Sequence, residues 1–399
     1  MAAEKNNKTL NVPNLRFPEF SGEWEKYLLK SITNIYDGTH QTPKYTKSGV
    51  PFISVEDVTQ KSSKEQKYIS EQDFHNNFRN PPQKGDILMT RIGDIGTPCI
   101  VPTNEALGYY VSLALIRPFE KLQSCFLNYV IQSNSFKREL YKRTIHVAFP
   151  QKINKEDIGK CKLDVPSIEE QNRIGDLLSL IDERITTQKK IIEKYESLIR
   201  GLITSVNKGE ICKCKATALK DVLAEVHEKN VENYEVCSVS VSQGVINQID
   251  YLGRSFAAKK VLHYNVVNYG DIVYTKSPTG EFPYGIVKLS NLDRPVAVSP
   301  LYGVYRPVND YVGIYLHLYF KSPVNTKNYL HRLIQKGAKN TINITNQHFL
   351  DNKILIPENG WLEIIVNAAS TIEKMIQIEC NALLCLERQK NYLLSKMFI

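Results

Sequence analysis

No stretch of this 399-residue chain reaches about 18 uncharged apolar residues, so a single-helix membrane span is excluded. The opening segment, Met1 to Asn14, lacks the apolar centre of a signal peptide and reads as a polar tail, which makes a cytoplasmic location the expectation. Cysteine is sparse: there are eight, and the only tight cluster, Cys212-Lys213-Cys214, has no second pair to complete a zinc site. Neither a disulfide framework nor a metal centre is expected. No G-x-x-x-x-G-K-[ST] loop occurs, which argues against P-loop nucleotide hydrolysis.

Catalytic signals are equally thin. Asn80-Pro81-Pro82-Gln83 shares three letters with the Asn-Pro-Pro-aromatic motif of adenine methyltransferases. Gln83 stands where an aromatic ring would stack on a flipped base, and no Gly-rich cofactor loop precedes it, so it reads as a loop. His40, His75 and His146 show no spacing that implies a nucleophile or a metal relay. Gly93-Asp94-Ile95-Gly96 reads as a turn between two apolar segments.

What is present is an ordinary globular composition, 42% hydrophobic and 23% charged, over a length that suggests two or three domains. A net charge of +9 points toward a polyanionic partner. The chain also repeats itself. Gly85-Asp86-Ile87-Leu88 returns as Gly270-Asp271-Ile272-Val273, and Val111-Ser112 leading to Arg117-Pro118 returns as Val298-Ser299 leading to Arg306-Pro307. Leu29-Lys30-Ser31-Ile32 resembles Leu219-Lys220-Asp221-Val222, and Leu163-Asp164-Val165-Pro166 resembles Leu355-Ile356-Pro357. Because the matches keep their order, they read as a tandem duplication.

After each proline the texture becomes helical. Ser167 with Glu170 forms the pattern of a capping box, in which the hydroxyl takes a free amide and the carboxylate reaches back. Apolar residues then step by fours and threes through Ile174, Leu178, Ile181, Ile185, Ile192, Tyr195, Ile199 and Leu202. The second series is Ile365, Ile372, Ile376, Leu383, Leu386 and Leu393, with polar Gln188 and Glu379 at matching points. This period is a coiled-coil seam, and about 33 residues at 1.5 Å each make it near 50 Å long. Two like halves related by a pseudo-two-fold axis would make the helices antiparallel.

Positive charge is concentrated. From Tyr311 to Leu350 there is no acid, while Lys321, Lys327, Arg332, Lys336 and Lys339 are present; the matching stretch Lys121 to Lys155 holds only Glu139 against seven cations. Aromatic and amide residues are interleaved, among them Tyr141, His146 and Phe149, then Asn340 and Asn343. Lys and Arg neutralise phosphates, and Arg, Asn and Gln can read base edges bidentately. The candidate DNA contacts are Lys44, Tyr45, Arg91, Lys137, Arg138, Lys142, Arg143, His146 and Lys152 in the first half. In the second they are Arg254, Lys259, Lys260, Lys276, Arg332, Lys336, Lys339, Asn340 and Asn343.

Four stretches carry a family resemblance: Leu15-Arg16-Phe17-Pro18 through Gly22-Glu23-Trp24, Lys84 to Gly93, Ala114 to Pro118, and Val165-Pro166-Ser167-Ile168-Glu169-Glu170-Gln171 with Ile174. With the duplication, the chain resembles the specificity (S) subunits of type I restriction–modification systems. The second half departs from the pattern, having Gly360-Trp361-Leu362 where the first has Glu169-Glu170-Gln171. The resemblance implies an α+β chain of two mixed α/β target recognition domains, 15–165 and 216–356. Two spacer helices, 166–208 and 357–399, would pair as an antiparallel coiled coil. Each domain would read one part of a split DNA sequence. The helices would dock two methyltransferase (M) subunits, which bind S-adenosylmethionine and methylate adenine. Restriction and translocation (R) subunits would add cleavage, with ATP and Mg on the partners; this subunit would catalyse nothing and bind no metal. Two other readings remain open on the residues alone. A stand-alone DNA-binding or architectural protein would bind DNA without a partner, and a nuclease or methyltransferase would turn over unaided.

Overall fold

A computed structural model describes residues 10–59, 66–253, 261–336 and 342–399. They form two compact units: the first is the chain up to Lys189 together with Asn381–Ile399, and the second is Lys190–Cys380.

The first unit runs through β1 (Glu25–Leu28), β2 (Thr33–Asp37), β3 (Tyr45–Thr46), β4 (Val50–Ile53) and β5 (Lys67–Ile69). It continues with β6 (Ile87–Ile92), β7 (Asp94–Ile100), β8 (Gly108–Tyr109), β9 (Leu113–Pro118), helices α1 (Ser124–Gln132) and α2 (Asn134–Arg143), and β10 (Lys162–Val165). An antiparallel sheet of order β2-β9-β6-β7 lies at its centre. A satellite sheet has the order β3-β5-β4-β8, and β1 pairs with β10 as a ribbon. Both faces of the central sheet are covered, and alternate residues serve them. Ile87, Met89, Ala114 and Ile116 pack with Phe126, Leu127 and Val130 of α1, whereas Leu88, Leu113 and Leu115 join Phe52, Ile69 and Tyr109 on the satellite side.

The long helix α3 (Ile168–Asn207) leads to β11 (Cys214–Ala218), β12 (Leu223–Glu225), β13 (Cys237–Ser240), β14 (Gly244–Asn247) and β15 (Asn265–Val267). Then come β16 (Ile272–Tyr274), β17 (Val287–Leu289), β18 (Val296–Val298), β19 (Gly303–Pro307), α4 (Asp310–Phe320) and α5 (Pro323–His331). The short strands β20 (Gln335–Lys336) and β21 (Ile342–Asn343) precede β22 (Lys353–Pro357) and the second long helix α6 (Trp361–Lys396). The central sheet here has the order β12-β19-β16-β17, and β11 pairs with β22.

The duplication is written into individual bonds. Asp86 accepts Arg117 Nε and Nη2 at 2.9 and 2.7 Å, and Asp271 accepts the same atoms of Arg306 at 2.9 and 3.1 Å. Each carboxylate also takes an amide three residues back, from Gln83 at 2.8 Å and Asn268 at 2.9 Å. The glycines before them have φ of 89° and 81°, a left-handed conformation that costs other residues energy. Leu29 N donates to Cys161 O at 2.9 Å, and Leu219 N to Asn352 O at 3.1 Å. The fold is α+β, two similar mixed units with a pair of long helices.

In the first unit those helices run antiparallel, since Asp182 meets Lys390 at 2.7 Å while Lys189 meets Glu387 at 3.3 Å. Ile174, Leu178, Ile181 and Ile185 are buried in one core with Leu393, Leu394 and Met397, and Leu383 and Leu386 are half-buried beside it. In the second unit Ile199 shares a core with Ile365, with Leu202, Ile372 and Ile376 half-buried beside it. Ile192 and Tyr195 are half-buried too. Ile203, outside the expected series, is buried more deeply than its neighbour Leu202, because the α3 segment here packs on a whole core rather than on one helix.

The capping box forms only in part. Ser167 Oγ accepts Glu170 N at 3.3 Å, but the Glu170 carboxylate takes Arg16 Nε and Nη2 at 2.8 and 2.7 Å and Trp24 Nε1 at 3.3 Å. A bidentate guanidinium outcompetes one backbone amide. Gln171 completes the clasp by donating to Lys121 O and Pro166 O, both at 3.0 Å, and Leu15 N donates to Lys396 O at 2.9 Å. Among the described residues no helix is long and apolar enough to cross a membrane.

Candidate nucleic-acid interface

Helix α2 starts from Ser133, whose Oγ accepts Phe136 N at 3.3 Å. Phe136 and Leu140, four residues apart, are buried, which leaves Lys137, Arg138, Tyr141 and Lys142 exposed. The chain then makes a pinned loop. Ile145 N donates to Lys152 O at 2.7 Å, Gly93 N to Gln151 O at 2.8 Å and Ile153 N to Arg91 O at 3.0 Å. The His146 and Tyr141 rings lie 4.4 Å apart, and Nε2 of His146 is 2.9 Å from Tyr141 O.

The cations on this face differ in availability. Lys142 and Arg143 are paired with Glu139 at 3.2 and 2.9 Å. Burial opposes ionisation of Glu139, yet the Lys162 amide and these two side chains hold its carboxyl below the ordinary range. Lys137, Arg138 and Lys152 are exposed and have no ion-pair partner among the described residues. Arg91, expected to reach DNA, is 8% exposed: its Nε donates to Val111 O at 2.8 Å and its Nη1 lies 3.2 Å from Asp37. A strand position facing two internal acceptors has taken up that charge. Lys44 and Tyr45 lie elsewhere, exposed at the edge strand of the satellite sheet, with Lys67 Nζ 5.2 Å from the Tyr45 ring centre.

The second unit repeats the plan. Ser322 caps α5 by accepting Asn325 N at 3.3 Å, and Tyr329 and Leu330 are buried. Lys327, Asn328, His331 and Arg332 line an open cleft of about 470 Å³. The strands β20 and β21 pair antiparallel, with Lys336 opposite Ile342 and Gln335 opposite Asn343. Lys276 is half-buried, and burial lowers the pKa of its amine, with Glu225 opposing. Arg254, Lys259, Lys260, Lys339 and Asn340 lie outside the described residues.

Residues 21–197 match the family described as the type I restriction modification DNA specificity domain. This part of the chain is thus similar to type I specificity domains. The type I restriction enzyme MjaVIII specificity subunit of Methanocaldococcus jannaschii is 25% identical over 209 residues, covering 48% of this chain and 47% of that protein. The putative MjaX specificity subunit of the same organism is 26% identical over 208 residues, 49% of this chain and 48% of its own length. The chain thus spans about half the length of the curated relatives it matches. Among solved structures, the type I restriction-modification S subunit from M. genitalium aligns with a TM-score of 0.59 at 11% identity, over 97% of this chain and 99% of that one. A chain from a structure addressing complex assembly and conformational transition of a type I system aligns with a TM-score of 0.51 at 15% identity, over 93% and 96%. These two likenesses are of fold.

Proposed function

We propose that this chain is the DNA-specificity subunit of a type I restriction–modification complex and recognises a bipartite sequence with an unspecified gap. The supporting observation is the repeated frame: two units with the same sheet order and the same Asp–Arg bond each present cations around the second helix of a pair. In this reading 15–165 and 216–356 are target recognition domains, and the helical segments 166–208 and 357–399 are spacers that dock methyltransferase subunits. S-adenosylmethionine, ATP and Mg belong to the methyltransferase and restriction subunits, and the complex works in the cytoplasm.

Co-expression with the methyltransferase encoded beside it, followed by genome-wide mapping of methylated adenines, is the direct test. The expected motif has two short specified parts around a gap; a continuous motif overturns the reading. Within the same complex, Lys137→Ala, Arg138→Ala and Lys152→Ala should each lower the slope of log affinity against log salt by roughly 0.9 for every phosphate no longer neutralised. Lys142→Ala should lower it less, because Glu139 already neutralises part of that charge. Unchanged slopes for all four would show these cations to be merely solvated.

A further inference from the structure

Phe149 is 103% exposed and Val147 96%, on the tip of the loop that follows α2. Neither is there by slack. The backbone after the tip is bonded to β6, through Ile153 N to Arg91 O at 3.0 Å and a bridge between Ile92 and Lys152; the backbone before it is tied to that same segment through Ile145 N to Lys152 O at 2.7 Å, and Ala148 N donates to Ile145 O at 3.4 Å. A large ring held in water on a pinned loop contributes nothing to the core of its own unit. Its surroundings are cationic: Lys152 follows it on the loop, and exposed Lys137, Arg138 and Lys142 precede it on α2. An apolar partner protein would have to bury those cations opposite its own surface. A duplex supplies phosphates for them and an apolar base stack for the ring.

We infer that Phe149 is a wedge that inserts between adjacent base pairs of the half-site bound by the first unit, with Val147 packing on the sugar edge beside it. The inference rests on the DNA-recognition reading and adds to it a mechanical role. Aromatic and apolar wedges of this kind unstack a base step and bend the duplex, and the cost is offset by the surface the bend brings together. Because the loop is bonded in place beforehand, little conformational entropy is lost on insertion.

The test uses the full chain in complex with its methyltransferase and duplexes of the mapped motif, with 2-aminopurine placed in turn at each step of the first half-site. One position should brighten several-fold on binding as the base unstacks. Phe149→Ala should abolish that rise and weaken binding roughly tenfold, the scale of a single base–aromatic stack, while leaving the salt slope unchanged. Phe149→Leu should restore part of both. If the unaltered complex binds but no position brightens, or if Phe149→Ala brightens as before, the wedge is wrong and the DNA-recognition reading survives. If Phe149→Ala instead fails to hold the methyltransferase while its DNA signal is intact, the loop is a protein-docking element and the wedge is overturned. If the unaltered complex shows no motif at all, both fall.

Discussion

In the first unit the satellite side of the central sheet packs on Phe52, Phe74, Phe78 and Tyr109; in the second the same side packs on Cys237, Val245, Val267, Val296 and Val298. On the helix side both cores hold aromatic rings, but the sheet's own residues differ. Met89 and Ile116 of the first unit correspond in register to Tyr274 and Tyr305 of the second, and both tyrosine rings stack on Phe349 with centres 4.9 Å apart. Between these dissimilar cores the Asp86–Arg117 and Asp271–Arg306 bonds are nearly superimposable in kind. Sheet order and its Asp–Arg bond are therefore separable from core composition. A frame can be kept while the layers on either side are rewritten, which under the proposed function would let two domains on one scaffold face different sequences.

Core truncations give the largest test of that comparison. Phe52→Ala in the first unit and Phe349→Ala in the second should each cost about 3–5 kcal/mol, whereas Val267→Ala should cost about 2. Hydrogen exchange read unit by unit is the suitable measurement, because a single unfolding free energy is not defined for two units. Equal losses for Val267→Ala and Phe52→Ala would erase the distinction between the satellites. Next in size are the frame bonds. Asp86 and Asp271 are 3% and 1% exposed at the side chain, but Arg117 is 22% exposed and Arg306 51%. Arg117→Met should cost about 3 kcal/mol by leaving a buried carboxylate unpaired. It also removes the bond from Nη2 to Pro81 O at 2.9 Å. Arg306→Met should cost about half that, because solvent already screens its pair. If Arg306→Met proves the costlier, the frame is not equivalent in the two units.

An effect of opposite sign concerns β17. Lys288 pairs with Val273 where the first unit pairs Cys99 with Leu88. It is 5% exposed, and burial, with Lys321 adding and Glu373 opposing, pushes its amine down to about 8. Below that pH the amine is charged in both states and its burial is a constant cost. Between about 8 and the unfolded value near 10.4 the folded unit holds it neutral while the unfolded chain still binds the proton, so stability rises with pH across that window. Lys288→Met should remove the rise and stabilise the second unit at pH 7 by roughly 2 kcal/mol. Exchange rates in the first unit should not follow it.

The long helices were legible in the sequence because a 3.5-residue period is local, and the repeated words were legible because identity survives drift. What those words do was not. Asp86 and Arg117 are 31 residues apart, and Arg16 and Glu170 are 154 apart. Only sheet register and helix placement bring such groups together. Arg91 misled for the same reason: charge count marks it as a DNA contact, but Asp37 lies across the sheet. The difference between the aromatic and aliphatic satellite cores was invisible, since a repeat search looks for what is shared.

One arrangement bears on how the chain is made. The core of the first unit contains Leu393, Leu394, Met397 and Phe398, with the Phe398 ring 5.7 Å from that of Phe126. A ribosome that has released β1 through α3 has therefore released a unit whose apolar face on Ile174, Leu178 and Phe126 still has no cover. The second unit, continuous from Lys190 to Cys380, can close first. The domain synthesised first is thus finished last, and until α6 emerges the nascent chain carries an exposed apolar stripe that a chaperone or a neighbouring nascent helix would recognise.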